Sequence, residues 1–384
     1  MISIWEKETF FAPQDVIIIG SGFVGLWCAF YLKKRAPDLK ITIIERGVIP
    51  TGASNRNAGF ACFGSLSELI ADETQMGTDK MLQLVDMRYK GLLRIQKYFP
   101  DSKIDFERCG GYELYDEKDR MSKNELEAGV DRINSLLHPI TGNKRTFRFD
   151  DEHIHLFGFG ETSHLIKNGL EGSLHSGKLL QSLLQHVHSK GVQVLNNIEV
   201  KSFHPNENVI ELKTNFSTSF SCKQLLICTN AYAKELLPET DIIPARGQIL
   251  LTSPIQGLPW KGTFHSDQGY YYFRNFGNRV LLGGARNKAF AEEQTTELKT
   301  TELIQSELER YLEDVVLPRF KKQYVIEHRW SGIMAMGSEK MPIIQQLMPG
   351  VFCAIRMSGM GVALAPMVGK IMAKMMASEQ EPFS

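Results

Sequence analysis

An excess of charge of either sign is missing from this chain of 384 residues: 44 Lys and Arg stand against 44 Asp and Glu, so the formal net charge is zero. Without a global field there is no general pull on a polyanion, which disfavours nucleic acid or an acidic membrane surface as a partner. Cysteine is sparse as well. The six (Cys28, Cys62, Cys109, Cys222, Cys228 and Cys353) are scattered, with no CxxC pair and none of the short Cys/His spacings of a zinc site, which fits a reduced, cytoplasmic setting. His186 and His188 lie two apart on a helical pattern and point away from each other, and His175 stands apart, so no metal is expected. The chain has no internal repeat and no low-complexity linker. One long uncharged run exists, VIIIGSGFVGLWCAFYL at residues 16–32. It falls short of the ~20 residues of a membrane span, is broken by Gly-Ser-Gly, and follows Glu6, Lys7 and Glu8 rather than a cationic segment. Neither a membrane span nor a signal peptide is expected there.

What the chain does have is enough apolar side chain, 43% in the AVILMFWYC set, for sizeable cores. The length suits two domains. Val16–Ile19 is a β-branched run of the kind buried on both faces of a parallel sheet. A helical pattern follows from Gly25 to about Arg35, stopped by Ala36-Pro37, and Ile41–Ile44 is a second apolar strand, so residues 15–45 form a βαβ unit. Helical patterns fill about 75–140, interrupted by the strand-like CGGYELY, and SGKLLQSLLQHVHS at 176–189 is a further helix. PARGQILLT, YYYFR and RVLLGG predict antiparallel strands between about 241 and 331, with one helix near 296–313. Beyond 341, VFCAI and a final helix return to the apolar style of the N-terminus.

Gly20-Ser21-Gly22-Phe23-Val24-Gly25 is a GxGxxG sequence that directly follows a buried strand and opens a helix. Gly20 permits the tight turn, Gly22 lets the backbone approach a pyrophosphate, and Gly25 allows helix and strand to pack closely. Glu45 ends the second strand, where a carboxylate accepts hydrogen bonds from a ribose 2′-hydroxyl; an acid there favours FAD or NAD over NADP. The loop beyond it supplies Gly52, Ala53, Ser54, Asn57, Ala58 and Gly59, small and amide residues suited to lying against a second, flat ligand, which favours FAD.

Taken together, VIIIGSGFVG, IIERG, GASNRNAG, HRWSGIMAMGSEKMPII and RMSGMGVALAPMVG resemble the FAD-dependent oxidoreductases of the D-amino acid oxidase type, which include glycine, sarcosine and γ-glutamylputrescine oxidases. The resemblance spans essentially the whole chain and is weakest between about 75 and 170. It implies an α/β fold: a Rossmann-like FAD-binding domain plus a substrate domain with a mixed, largely antiparallel sheet. The expected division is 1–75, 150–235 and 330–384 for the discontinuous FAD domain, and 76–149 and 236–329 for the substrate domain. It further implies that Gly20, Gly22 and Gly25 hold the pyrophosphate, with Glu45 on the ribose and Arg46 near the adenine. Ser54, Asn57 and Ala58 would line the way to the flavin, Val200 would offer its backbone to the adenine, and Thr229 and Asn230 would form a second turn beside the dinucleotide. Gly332, Pro342, Gly359, Met360 and Gly361 would wrap the ribityl chain and ring. Reduction of a flavin builds negative charge near N1 and C2=O, so a helix opened by Gly359-Met360-Gly361 could stabilise it, with Arg356 as a cationic helper.

The implied activity is oxidation of the C–N bond of a small amine or amino acid to an imine, hydride passing to flavin N5, with O2 or another acceptor reoxidising FAD. A dehydrogenase using a quinone or protein acceptor and a non-catalytic FAD-binding protein are the alternatives. The family's carboxylate-binding Arg lies two residues after the Gly of WSGIMAMG, a position that Met334 occupies here. The departure argues for a secondary or longer amine, or for a carboxylate gripped from elsewhere. Strand alternation sends Tyr270, Tyr272 and Arg274 to one face, a Tyr-plus-Arg surface suited to a carboxylate, with Tyr272 and Arg274 the favoured pair. Arg246 and Arg286 are second-rank candidates, a lone His265 reads as a polar residue satisfied by its neighbours rather than one at a pocket rim, and Cys62 reads as a small buried hydrophobe rather than a flavin attachment point.

Overall fold

The computed structural model describes residues 1–116, 122–207 and 209–380. They form two compact units, Met1–Asn55, Gly177–Pro244 and Met334–Ser384 in the first and Arg56–Ser176 and Ala245–Ile333 in the second. Residues 56–75 and 150–176, expected with the first domain, group with the second because Phe60–Ala61 pairs with Gly172–Ser173, while Phe147–Phe149 and His164–Asn168 join its sheet.

In the first unit the strands run Ile343–Met348, Val351–Ile355, Phe220–Ile227, Gln14–Ile19, Ile41–Ile44 and Gln193–Leu195, with a two-strand meander, Val200–Pro205 and Ile210–Thr214, attached to Phe220–Ile227. The four central pairings from Val351–Ile355 to Gln193–Leu195 are parallel. A sheet covered on both faces needs apolar side chains on both, and Val16, Ile17 and Ile18 have no exposed surface. The run at 16–32 is therefore strand, turn and the Phe23–Arg35 helix, as its sequence requires. The final helix, Gly361–Gln380, packs on Phe23–Arg35. A Cβ at Gly369 would lie 2.7 Å from Trp27 main chain, so only glycine lets these helices approach this closely.

In the second unit the order is Ile326–Met336, Ile243–Thr252, Arg279–Gly284, Tyr271–Phe276, Thr263–Ser266, Gly111–Tyr115, His164–Asn168 and Phe147–Phe149. Gly111–Tyr115 runs parallel to Thr263–Ser266 and antiparallel to His164–Asn168, which makes the sheet mixed and largely antiparallel. One face carries the core: Phe264 and Phe273 stack at 4.8 Å, Tyr112 stacks on Phe264 at 4.9 Å, and Trp260, Ile304, Leu308 and Leu312 close over them. The helix predicted near 296–313 is Glu302–Tyr311, whose Ile304 and Leu308 face that core. The opposite face is thinner, with Ile249, Leu251 and Leu281 under Ala58, Tyr272 and Trp330.

Candidate functional site

Every expected feature of the dinucleotide turn falls inside the first unit. Gly20 has φ 104°, and a Cβ there would sit 2.9 Å from the Cys228 carbonyl oxygen. A Cβ at Gly22 would meet Ser54 Oγ at 2.9 Å, and one at Gly25 would lie 2.0 Å from the Gly20 carbonyl oxygen. The turn is thus packed to the limit that glycine allows. The Phe23 amide at the helix start donates to Ser54 Oγ at 2.9 Å. The Val24 and Gly25 N–H groups, in the first turn, have no intrahelical acceptor and lie at the positive end of the helix dipole. Glu45 is more occupied than its sequence role suggests: one oxygen accepts from Ser21 N at 3.1 Å and Ser21 Oγ at 2.8 Å, the other from Gly47 N at 3.0 Å. The carboxylate therefore ties the turn to the second strand, leaving only further lone pairs for a ribose. Arg46 lies 3.7 Å over the Tyr232 ring and pairs with Glu235 at 3.5 Å, a cation–π contact that no spacing rule foretold. Val200 opens its strand, half of a backbone ladder with Thr214.

Among the hydroxyls of this unit buried without a hydrogen-bond partner among the described residues are Thr229 Oγ1 and Ser358 Oγ. Thr229 N lies 3.8 Å from the Cβ position of Gly20, and Asn230, at φ 47°, accepts from Met357 N at 3.4 Å. Thr229 and Asn230 thus join the glycine turn and the Met357–Gly361 turn, while Ser358 was missed; its left-handed φ of 46° cannot be read from its residue type. Gly359 has φ 81°, Met360 N donates to Met357 O at 2.9 Å, and Gly361 begins the final helix with unsatisfied first-turn amides. Met334, at the position of the family's Arg, places its sulfur 3.5 Å from where a Cβ on Gly359 would be.

Arg356 does not stand as the cationic helper expected of it. It is 7% exposed, its Nε donates to Met341 O at 3.0 Å, just before Pro342, and its Nη1 bonds both Asp241 O at 3.2 Å and the Asp241 carboxylate at 2.5 Å. Its charge is neutralised locally, and hydrogen bonds from Ser338, then the nearby Arg356, hold the Asp241 carboxyl below its usual range.

The remaining residues lie in the second unit. Asn57 Oδ1 accepts from Gly59 N at 2.8 Å and Ser176 Oγ at 2.6 Å, fixing the loop that carries Ala58, which packs with Tyr272 and Trp330. Gly332 backs onto Arg56, whose Cβ would stand 3.0 Å from an added Cβ, and Trp330 Nε1 donates to Arg56 O at 3.1 Å. Alternation places Tyr272 and Arg274 on the expected face. Tyr270 is different: the strand begins at Tyr271, and Tyr270, in helical conformation (φ −70°, ψ −20°), packs against the core cluster instead.

Arg274 is corrected by the structure. It is 5% exposed, and its Nη1 donates to Gly59 O at 2.8 Å and Leu174 O at 2.9 Å while Nε donates to Asn275 O at 2.9 Å. It holds main chain rather than offering a fork to a carboxylate. Arg246 is likewise taken, with Nε and Nη2 on the two oxygens of Glu293 at 2.9 and 2.7 Å, both residues fully buried. His265 faces Phe60 edge-on at 5.1 Å, and Phe60 also meets Tyr272 at 6.0 Å. Burial drives His265 down to about 4, so its ring is neutral at physiological pH. Burial and the neighbouring Glu171 and Glu68 push the Cys62 thiol well up, which removes the thiolate that attack on a flavin would need. Asp150, Glu152 and His153 bring ligand-type atoms within 4.8 Å of one another, but Lys167 already stands 3.8 Å from the Asp150 carboxylate. No helix of the described residues is long and apolar enough to cross a membrane.

A parallel sheet with a glycine turn, two open helix N-termini and orphaned hydroxyls beside them defines a dinucleotide-binding protein. Residues 15–375 match the family model DAO, FAD dependent oxidoreductase, and the chain belongs to that family. It is an enzyme, and its cofactor is FAD. Among curated relatives, a probable oxidoreductase, OrdL, of Rhizobium meliloti is 27% identical over 374 residues, covering 94% of this chain and 82% of its own. Among solved structures, L-proline dehydrogenase from P. horikoshii superposes with a TM-score of 0.77 at 20% identity, covering 95% of this chain and 94% of its own. Glycine oxidase from Geobacillus kaustophilus gives 0.76 at 18%, covering 97% and 96%.

Proposed function

We propose that this FAD-dependent oxidoreductase oxidises the C–N bond of a small amine or amino acid to an imine. The observation that carries the reading is the open face of the second unit's sheet. Phe60, His265 and Tyr272 form an aromatic, uncharged surface there, with no carboxylate in the set to hold a substrate nitrogen in its charged form. A neutral amine is the reactive form, so a surface that does not stabilise the ammonium ion suits the chemistry. Structural similarity to proteins described as L-proline dehydrogenase and glycine oxidase supports the same class of bond.

FAD, when bound, would supply the two-electron acceptor. The chain's own residues bind and orient. Gly20, Gly22 and Gly25, with the Val24 and Gly25 amides and the Ser54 hydroxyl that Phe23 N holds, would form the seat for the diphosphate; Glu45 and Arg46 would face the ribose and adenine, and Ala53 and Val200 would complete the wall. Thr229 Oγ1 and Ser358 Oγ gain partners when that seat fills. When FAD is bound, the Gly361 helix N-terminus, opened by Gly359 and Met360, would supply main-chain amides for the negative charge of a reduced flavin, a task the neutralised Arg356 leaves to main chain.

The test is anaerobic bleaching of the flavin absorbance by a panel of primary amines, N-methyl amino acids and D- and L-amino acids. At least one class is expected to reduce the flavin; a panel that leaves the oxidised spectrum intact would overturn the reading. Peroxide yield on readmitting air then separates O2 from another acceptor.

A further inference from the structure

We propose that the cavity lined by Trp260 in the second unit is a small-molecule site of its own, which takes a free amino acid with an apolar side chain in its zwitterionic form. It shares no residue with the dinucleotide turn or with the Phe60, His265 and Tyr272 surface, and it stands independently of the amine-oxidation reading.

The cavity has a volume of about 460 Å³, within the range of about 300–1,000 Å³ in which small molecules bind. Its walls are the segment from Ile255 to Lys261 and the turn from Asn275 to Asn278, with Glu107 completing the lining. Hydrogen bonds hold these walls in place. Ile255 N donates to Asn278 O at 2.7 Å, Gly262 N donates to Asn275 Oδ1 at 3.0 Å, and Glu107 exchanges two main-chain hydrogen bonds with Ser173, at 2.8 and 2.9 Å. The seat is thus formed before a ligand arrives, which spares an ordering cost on binding.

One donor in this lining is unspent. Trp260 is 2% exposed, and its ring packs 5.1 and 5.5 Å from those of Phe264 and Phe273. Its Nε1 is nonetheless buried with no hydrogen-bond partner among the described residues. An N–H taken from water and given no acceptor is unfavourable, and a carboxylate oxygen relieves it. Asn275, the other buried polar side chain of the lining, is already used: Gly262 holds its Oδ1, and its Nδ2 donates to Gly277 O at 3.4 Å.

Lys261 and Glu107 supply charges of opposite sign. Both are exposed, and neither side chain makes a hydrogen bond or ion pair with a described residue. Glu107 acts electrostatically on Arg274, whose donors are held by main-chain carbonyls instead. A zwitterion uses every one of these groups. Its carboxylate takes the Trp260 N–H and the Lys261 ammonium, its own ammonium takes Glu107, and Ile255 and Leu258 receive the apolar side chain. An anion alone would meet Glu107, and a cation alone would meet Lys261, so a ligand of one sign is disfavoured.

The experiment titrates L-norleucine, hexanoate and n-pentylamine into FAD-loaded protein by anaerobic calorimetry; hexanoate is norleucine without its ammonium group and pentylamine is norleucine without its carboxylate. The proteins are the wild type, Lys261→Gln, Glu107→Gln and Trp260→Phe, with flavin content, flavin spectrum and Tm recorded for each. Norleucine is expected to bind the wild type about fivefold or more tightly than either analogue. Its affinity is expected to fall about fivefold in Lys261→Gln and in Glu107→Gln, as for exposed charge pairs, and about tenfold in Trp260→Phe. Hexanoate is expected to gain affinity in Glu107→Gln, where its repulsion is gone, and pentylamine in Lys261→Gln. Flavin content and Tm are expected to hold in the two charge variants, so loss of the site is told apart from loss of the fold even where Trp260→Phe is destabilised. Norleucine that does not bind the wild type, or that binds no better than both analogues, overturns the proposal. Norleucine that perturbs the flavin spectrum yet keeps wild-type affinity in Lys261→Gln and Glu107→Gln is bound elsewhere and overturns it as well.

Discussion

Gly25→Ala tests the tightest contact in the dinucleotide turn. The added Cβ would lie 2.0 Å from the Gly20 carbonyl oxygen and 3.2 Å from Ile18 Cγ2, where real Cβ contacts stop near 3.0 Å. About 1 Å must therefore open between helix and strand. The obstructing atom is main chain, next to a strand whose Ile17 and Ile18 are fully buried, so it cannot swing aside. Two effects compete. Alanine favours a helix over glycine by about 1 kcal/mol, while overpacking a close-packed interior costs about 1–3 kcal/mol. The clash wins because nothing in it is a flexible side-chain end, and a net loss of up to about 2 kcal/mol is expected. Cofactor binding suffers further, because a 1 Å displacement of the first-turn amides spoils hydrogen bonds whose useful range is only about 2.7–3.2 Å. The measurement is FAD per polypeptide, from visible and protein absorbance, and Tm with and without added FAD. Gly52→Ala is the control, since a Cβ there meets nothing within 4 Å. Full flavin occupancy and an unchanged Tm in Gly25→Ala would refute the argument.

Glu171 gives a pH prediction. Burial, outweighing the Phe63 and Gly64 amides at its Oε1, pushes it from 4.5 to about 8. The folded chain thus keeps a proton that the unfolded chain releases, and the resulting stability is present in full below about pH 4.5 and lost as pH rises through about 8. Glu171→Gln retains an acceptor for the two amides and should flatten the decline of Tm across that window; parallel Tm profiles would refute it. Arg356→Ala should destabilise by about 2 kcal/mol, through the lost bonds to Asp241 and Met341, yet leave the flavin midpoint potential in place. A marked negative shift in potential would restore Arg356 as a charge partner of the reduced flavin. Arg274→Ala should likewise lower Tm, by stranding the Leu174 carbonyl and taking one of two donors from the Gly59 carbonyl, without raising KM for a carboxylated substrate. A raised KM with unchanged Tm would contradict the structural role.

The residues that could be read in advance are those whose function depends on local backbone chemistry. Val16–Ile19, Gly20, Gly22, Gly25 and Glu45 lie within one βαβ unit, where strand period, glycine geometry and helix polarity are all short-range properties, and their expected order recurs in space. The antiparallel strands of the second unit were legible from their apolar and aromatic runs, whereas the mixed character of its sheet was implied only by the family resemblance. Arginine was not legible in this way. Arg246, Arg274, Arg286 and Arg356 look alike as letters, and each reaches some 6 Å or more from its backbone, so its role is set by which distant group meets its fork. Glu293 claims Arg246 from 47 residues away, Leu174 claims Arg274 across 100 and Asp241 claims Arg356 across 115. Arg286 meets none among the described residues. The sequence by itself determined the cofactor-binding turn and the class of fold, because those follow from local periodicity and backbone freedom. Only the tertiary structure decided which distant groups hold Arg246, Arg274 and Arg356, because pairing of long side chains is fixed by contacts that the order of residues does not encode locally.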